Sequence, residues 1–402
     1  METEIIRENM ARAAEVLREG GLVGVPTETV YGLAGNGLSE QAVHRIYEVK
    51  GRPEVKPLAL MVPDAGEIEK YCRDVPAAAK KLAERFWPGP LSIVLKAKTD
   101  LVPEIVRAGG ETVSLRCPDH PLTLEALRLA GVPFAAPSAN PSGRPSPKTA
   151  LEVCGYFDGQ IEAVIDGGPC GLGLESTILD MSRTPYRILR QGALPAEAIE
   201  EALRDGLRLI GITGPSGSGK TTALKLLEGK GALVLDCDAV YHELLKRDRA
   251  LTMAISAAFP GTVKEGVLDR RTLGRIVFAD PAALRRLNEI THRAIGAEID
   301  RRLTAFAMGG GELAALDAIA LIESGLGARC ERVIGILADR KTRLLRIMAR
   351  DGISREEAEE RVDAQKDEAY FIEQCDSIVR NDGDAAVFIS NFINVIEEKQ
   401  NG

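Results

Sequence analysis

One short stretch restricts the architecture of this chain more than any other. Gly214-Pro215-Ser216-Gly217-Ser218-Gly219-Lys220-Thr221 fits G-x-x-x-x-G-K-[ST] at every constrained position and follows the apolar run Leu209–Thr213. A glycine-rich turn between a strand and a helix lets backbone N–H groups converge on phosphate oxygens, and the helix N-terminus adds a favourable dipole. Gly214, Gly217, Ser218, Gly219, Lys220, Thr221 and Thr222 are therefore candidate nucleotide-binding residues. Lys220 can reach the β- and γ-phosphates of ATP, and the Thr221 hydroxyl can hold Mg²⁺. After this turn come a helix from Lys220, a strand Leu233–Leu235, a helix from Ala239, a strand Val333–Leu337 and a helix from Lys341. Such alternation predicts a P-loop α/β fold with a doubly wound parallel sheet.

The strand Leu233–Leu235 runs into Asp236-Cys237-Asp238, which puts two carboxylates at the ligand-binding edge of that sheet. One can take the proton of an attacking hydroxyl while the other orients Mg²⁺ waters; the competing reading is a helix N-cap beside a solvated neighbour. Arg343, Arg346 and Arg350 lie three and four residues apart, on one helical face. That row is either a solvated face or a lid that closes over transferring phosphate.

With 402 residues the chain has room for two domains. A helix from about Pro195 to Arg204, stopped at Asp205-Gly206, places the division between 1–205 and 207–402. In the first part, residues 4–19 carry a helical pattern ended by Gly20-Gly21, and Leu22–Val25 reads as a buried strand. Strands are also expected at Leu91–Leu95, Thr112–Leu115, Val132–Ala136, Ala163–Ile165 and Ser176–Leu179, mixed irregularly with helices. The expectation is a twisted mixed α/β sheet.

Chemistry in this part gathers at four places. Pro26-Thr27-Glu28-Thr29-Val30-Tyr31-Gly32-Leu33 packs hydroxyls around a tight turn, and Lys50-Gly51-Arg52-Pro53 with Lys56-Pro57 sets cations on a proline-braced loop. Ser138 and Asn140 follow a strand and lead to Arg144, while Ser176 begins one and Arg190 ends the series. Fixed positive charge on rigid loops suits a triphosphate site without a P-loop. The bland alternatives are a solvated K-x-R turn and ordinary S-x-N turn chemistry. The residues alone describe an anion-binding domain.

A formal net charge of -8 argues against a generally basic nucleic-acid binder, without excluding a local cationic groove. Seven cysteines with no C-x-x-C spacing give neither a disulfide framework nor a zinc site. Met1-Glu2-Thr3-Glu4 lacks the start of a secretory signal, and no apolar run approaches the ~20 residues of a membrane span. A cytoplasmic protein with no membrane partner is expected.

Two family resemblances sharpen these readings. Residues 5 to about 203 resemble the threonylcarbamoyl-adenylate synthase (YrdC-like) family through Lys50/Arg52, Ser138/Asn140, the Pro26–Leu33 segment, Trp87-Pro88-Gly89-Pro90-Leu91 and Glu175-Ser176-Thr177. The resemblance implies L-threonine, bicarbonate and ATP as substrates and proteins of tRNA threonylcarbamoyl transfer as downstream partners; direct tRNA binding stays open. It implies that Thr27, Arg116 and Ser176 contact threonine, and that Lys50, Arg52, Ser138, Asn140, Arg144 and Arg190 hold ATP, Lys50 and Arg52 offsetting charge at the reacting phosphorus.

Residues from about 207 to 398 resemble dephospho-CoA kinases through the P-loop, Asp236-Cys237-Asp238, Leu268-Asp269-Arg270-Arg271-Thr272-Leu273, His292, Asp317 through Glu323, Gln365 and Asn381-Asp382-Gly383. This implies that Asp238 is the base at the ribose 3′-hydroxyl of dephospho-CoA, with Asp236 beside it and Arg346 and Arg350 in a lid. Pro215, Ser216 and Thr221 depart from that family's usual loop and keep a nucleoside or nucleotide kinase as an alternative. For the first part the alternative is a non-catalytic nucleotide- or RNA-binding module.

Overall fold

A ten-stranded mixed sheet carries the first part of the chain and a five-stranded parallel sheet the second. The computed structural model describes residues 2–264, 267–318 and 321–398. It divides into two units, Met1–Gly206 with Met308–Gly310, and Leu207–Ala307 with Gly311–Gly402.

In the first unit the strands lie in the order Glu4–Ile6, Ala163–Ile165, Val23–Val25, Gly32–Asn36, Phe134–Ala135, Ala59–Met61, Thr112–Arg116, Leu91–Lys96, Thr177–Asp180, Arg187–Arg190. Parallel and antiparallel pairs are mixed without a regular βαβ rhythm, as at Val23–Val25, which is parallel to Ala163–Ile165 and antiparallel to Gly32–Asn36. Most strands have two to five residues, and Ser92, Arg116 and Arg190 lie at or next to strand ends.

The expected helix over 4–19 is corrected here. Glu4–Ile6 is a strand, and the helix is only Met10–Arg18, started by Asn9, whose side chain accepts the Arg12 N–H. Two consecutive β-branched residues at Ile5-Ile6 suit a strand, and the partner Ala163–Ile165 that fixes them lies far along the chain. The strand expected at Val132–Ala136 shrinks to Phe134–Ala135. Strands at Gly32–Asn36, Ala59–Met61 and Arg187–Arg190 carry no clear sequence pattern.

In the second unit Arg208–Thr213 is central, between Leu313–Asp317 and Arg332–Leu337, with Leu233–Asp236 and Ser377–Arg380 at the edges. Alternate residues of a strand face opposite sides. Ile210 and Ile212 meet Ala223, Leu227, Phe388 and Phe392 of the helices Lys220–Gly229 and Ala385–Glu397. Leu209 faces the other layer with Ile299 and Leu303 of the helix Pro281–Met308. Because the first strand of this unit sits in the middle, the chain crosses to one side and then the other, and the crevice for a ligand opens at that strand's carboxyl end. Sequence reading passed over Leu313–Asp317, whose Leu-Ala-Ala-Leu composition favours a helix in isolation. The helices Arg340–Asp351 and Arg355–Asp363 pack through a small apolar cluster of their own, Leu344, Ile347, Ala358 and Val362. No helix among the described residues is long and apolar enough to cross a membrane.

Candidate active sites

A cavity of about 160 Å³ in the first unit brings together Arg52, Arg116, Ser138, Ser176 and Arg190, with Thr29, Ser92 and Glu175 also in its wall. The guanidiniums are held by neighbours that leave part of each one uncommitted. Arg52 donates from Nε to Lys56 O (3.3 Å) and from Nη2 to Pro57 O (3.0 Å). Arg190 grips Ser176 O from Nε and Nη2 (3.1 and 2.8 Å). Arg116 donates from Nε to Gly89 O (3.3 Å) and from Nη2 to Glu28 Oε1 (2.7 Å) and Thr29 Oγ1 (2.9 Å). In each case the Nη1 group makes no hydrogen bond among the described residues, so three cationic donors surround one cavity.

The other expected residues stand behind the wall. Lys50 is buried, and its ammonium donates to Ser138 O and Asn140 O, so it props the S-x-N turn from below. Burial first, and the charge of Arg52 second, push that ammonium down to about 7. Asn140 receives the Ser138 hydroxyl on Oδ1 (2.6 Å) and donates to Pro141 O and Arg144 O. The Arg144 side chain is exposed. Thr27 is buried, its hydroxyl donating to Val30 O (2.6 Å) and accepting N–H bonds from Thr29 and Val30, so it shapes the turn that presents Thr29.

In the second unit the loop has the conformation its glycines allow. Gly214 and Gly219 have φ of 140° and 106°, and a Cβ on Gly214 would lie 2.2 Å from Ile336 O. Lys220 donates to Gly214 O (2.7 Å), folded back over the loop. Burial depresses the Lys220 ammonium, against the opposing attraction of Asp317. Thr221 and Thr222 are exposed in the first helical turn, while Ser218 is buried with its hydroxyl unpartnered among the described residues.

The two aspartates separate by role. Asp236 is the N-cap of the helix Cys237–Arg247, its Oδ1 accepting the Ala239 N–H at 2.9 Å. Asp238 instead lines a cavity of about 200 Å³ with Tyr241, Asn288, His292 and Ser324. The arginine row also divides. Arg343, buried, donates to Ser216 O (3.0 Å) and Gln365 Oε1 (2.8 Å). Arg346 donates from Nη1 to Gly217 O and Ser218 O (both 3.3 Å) and from Nη2 to Asn381 Oδ1 (3.2 Å). Arg350 is exposed and pairs with Asp351 (2.7 Å). Of the segment Asp317–Glu323, Ile319 and Ala320 lie outside the described residues.

A family model described as Telomere recombination, the YrdC-like family, matches residues 15–192, and one described as Dephospho-CoA kinase matches 208–386. A threonylcarbamoyl-AMP synthase of Pyrococcus abyssi is 47% identical over 191 residues, covering 48% of this chain and 56% of that protein. A putative threonylcarbamoyl-AMP synthase of Methanocaldococcus jannaschii is 36% identical over 49% of this chain and 93% of its own length. A dephospho-CoA kinase of Symbiobacterium thermophilum is 40% identical over 44% of this chain and 75% of its own. The chain belongs to both families. It spans about half the length of the first curated relatives it matches.

In the first unit, sequence reading missed Ser92, whose hydroxyl lies 2.8 Å from that of Ser176 in the cavity wall. Its signal was a hydroxyl inside the apolar strand Leu91–Lys96, which is ambiguous without the neighbour. In the second unit Asp317, which the family resemblance named without giving it a role, joins Lys220, Asp236 and Asp238. It ends its strand directly opposite Asp236, and burial raises its carboxyl to about 6 despite the pull of Lys220. Only the parallel register sets it among these groups.

Proposed function

We propose that the chain is a bifunctional enzyme, with domains at 1–205 and 207–402. The first makes L-threonylcarbamoyladenylate from L-threonine, bicarbonate and ATP, and the second transfers the γ-phosphoryl group of ATP to the 3′-hydroxyl of dephospho-CoA. The observation that carries this reading is that each unit pairs a cationic phosphate site with its own cavity.

In the synthase reaction the threonine nitrogen bonds to the carbon of bicarbonate, and water leaves to give a carbamate. A carbamate oxygen then bonds to the α-phosphorus of ATP as the bond to pyrophosphate breaks. Arg116, with donors open toward the cavity, suits the threonine carboxylate, while Ser176 and the turn shaped by Thr27 hold its other end. Arg52 and Arg190 face the phosphates, Ser138, Asn140 and Arg144 carry the nucleotide side, and Lys50 fixes the Ser138–Asn140 turn and adds charge. Fixed donors of this kind stabilise the charge that gathers on phosphorus and leaving group. The product passes to proteins that transfer the threonylcarbamoyl group to tRNA.

In the kinase reaction Asp238 takes the proton of the 3′-hydroxyl, whose oxygen bonds to the γ-phosphorus as ADP departs. Lys220 and loop amides such as those of Gly217 and Gly219 hold the phosphates, Arg346 supports the loop, and Asp236 keeps the helix bearing Asp238 in place. Arg350 is positioned to swing in from the end of its helix. The donors fit Mg²⁺ that arrives with ATP, since the protein offers it chiefly the exposed Thr221 hydroxyl and magnesium keeps phosphate and water ligands. Magnesium there would neutralise charge between the β- and γ-phosphates. The match to a dephospho-CoA kinase family does not favour a nucleoside kinase.

The test is made on the whole chain. Pyrophosphate release must require both L-threonine and bicarbonate, and ATP must convert dephospho-CoA to CoA faster than it phosphorylates uridine or cytidine. Pyrophosphate release indifferent to threonine, or preference for a nucleoside, overturns the corresponding half.

A further inference from the structure

We propose that Arg343 and Gln365 form a clamp that sets the phosphate loop in its binding shape, which makes Arg343 a positioning residue for ATP; this rests on the kinase reading above. In a trans peptide the C=O of one residue and the N–H of the next point in opposite directions. A side chain that fixes a loop carbonyl outward therefore fixes the following N–H inward. Arg343 holds Ser216 O, so it orients the N–H of Gly217. Arg346 holds Gly217 O and Ser218 O, with Asn381 Nδ2 donating to the latter at 2.9 Å, so these two orient the next amides. The N–H groups of Gly217 and Gly219 make no hydrogen bond within the protein among the described residues.

Arg343 controls the first of these peptide planes, and it does so as half of a closed arrangement. Gln365 Oε1 accepts both the Arg343 Nη2 bond (2.8 Å) and the Ser216 N–H (2.9 Å). Both backbone groups of Ser216 are thus tied to side chains. The helix backbone itself lies against the loop, since a Cβ on Gly217 would meet Arg343 O at 2.8 Å. Pro215 has no N–H to offer, so fewer amides can face phosphate and the orientation of the rest matters more. Arg343 is buried, and the hydrogen bonds of its guanidinium go only to neutral oxygens, with no carboxylate in ion-pair range among the described residues. Burying a cation without a carboxylate partner costs stability. Burial accordingly depresses its guanidinium.

The experiment compares ATP with inorganic tripolyphosphate on the full chain, reading only the binding that Lys220→Ala abolishes. Arg343→Ala should weaken ATP and tripolyphosphate alike, by about tenfold to a hundredfold, the loss expected for one or two hydrogen bonds to charged phosphate. Arg343→Lys, able to reach Ser216 O with one donor, should recover part of both. Arg340→Ala, on the same helix but paired with Asp363, should leave both unchanged. Loss of ATP affinity with tripolyphosphate unaffected would mean that Arg343 touches the base or ribose, and overturns the proposal. So does no change in either. Should Arg343→Ala not fold, Gln365→Ala removes the other half of the clamp and is read against the same outcomes. The comparison does not involve the acceptor, so failure of the wild-type chain to form CoA refutes the functional reading without altering what binding says of the clamp.

Discussion

ATP binding by the synthase part should take up a proton, and Lys50 should be the group that gains it. The Lys50 side chain is 3% exposed, it donates to two backbone carbonyls, and it has no carboxylate in ion-pair range among the described residues. Burial and then Arg52 hold its ammonium at about 7 instead of the usual 10.5. A polyphosphate placed beside it favours the charged form and returns it toward the usual value. At about pH 8 the ligand-free amine is roughly one-tenth protonated and the bound one nearly fully, so binding takes up about 0.9 proton. Affinity should then fall about tenfold per pH unit as pH rises above about 7, until the bound form itself titrates. Stability of the ligand-free unit has the opposite trend. The unfolded chain binds more protons between about 7 and 10.5, so folding becomes more favourable as pH rises through that window. The assay is calorimetric titration of the Lys220→Ala chain with ATP, without threonine or bicarbonate, in HEPES and in Tris. The heats should differ by the uptake multiplied by the difference in buffer ionisation enthalpy, and Lys50→Met should remove that difference. An uptake below about 0.2 proton in the Lys220→Ala chain would refute the reasoning.

Lys220→Ala should lower CoA formation by roughly 10²–10³ or more while threonine-dependent pyrophosphate release persists; steady-state assays of both activities on one preparation check it. Asp238→Asn should lower kinase turnover by about 10²–10⁴ with little change in ATP affinity, since an amide cannot take the hydroxyl proton. The same phenotype in Asp236→Asn alone would reverse the roles given to these two residues. Gly214→Ala combines a positive φ with a Cβ 2.2 Å from a backbone oxygen, and should destabilise the second unit by about 2–5 kcal/mol, read in its thermal transition. Asp317 is held above its unfolded value of 3.8, at about 6, so the folded unit binds more protons in that window and loses stability as pH rises through it. Asp317→Asn should abolish this decline in urea titrations made between those pH values.

The sequence by itself determined the chemistry of single segments. The strand–loop–helix signature around Lys220 needs only local spacing, because the glycines and the helix N-terminus that make a phosphate cradle are neighbours in the chain. The same holds for Lys50 and Arg52, which lie two residues apart, and for the alternation that announced a doubly wound sheet. What lay beyond local spacing was decided by long-range pairing. Ile5 and Ile6 form a strand because Ala163–Ile165 lies beside them, and Leu313–Asp317 is a strand because it is enclosed between two others. Ser92 joins the synthase cavity only through the parallel pairing of Leu91–Lys96 with Thr177–Asp180, and Asp317 meets Lys220 only through strand order.

Tertiary structure also assigned jobs that residue type left open. Helical spacing put Arg343, Arg346 and Arg350 in one row, yet burial made the first a brace of the loop and left the last in solvent. Asp236 and Asp238 are chemically identical, but the first begins a helix and its carboxylate is taken up as the cap, while the second, within the first turn, faces a cavity. Lys50 and Arg52 stand two apart at the end of one helix, so their side chains diverge: one turns inward beneath the Ser138–Asn140 turn and the other lines the cavity. A side chain's type and spacing fix what it can bond to, whereas the groups that the rest of the chain folds against it fix which of those bonds forms.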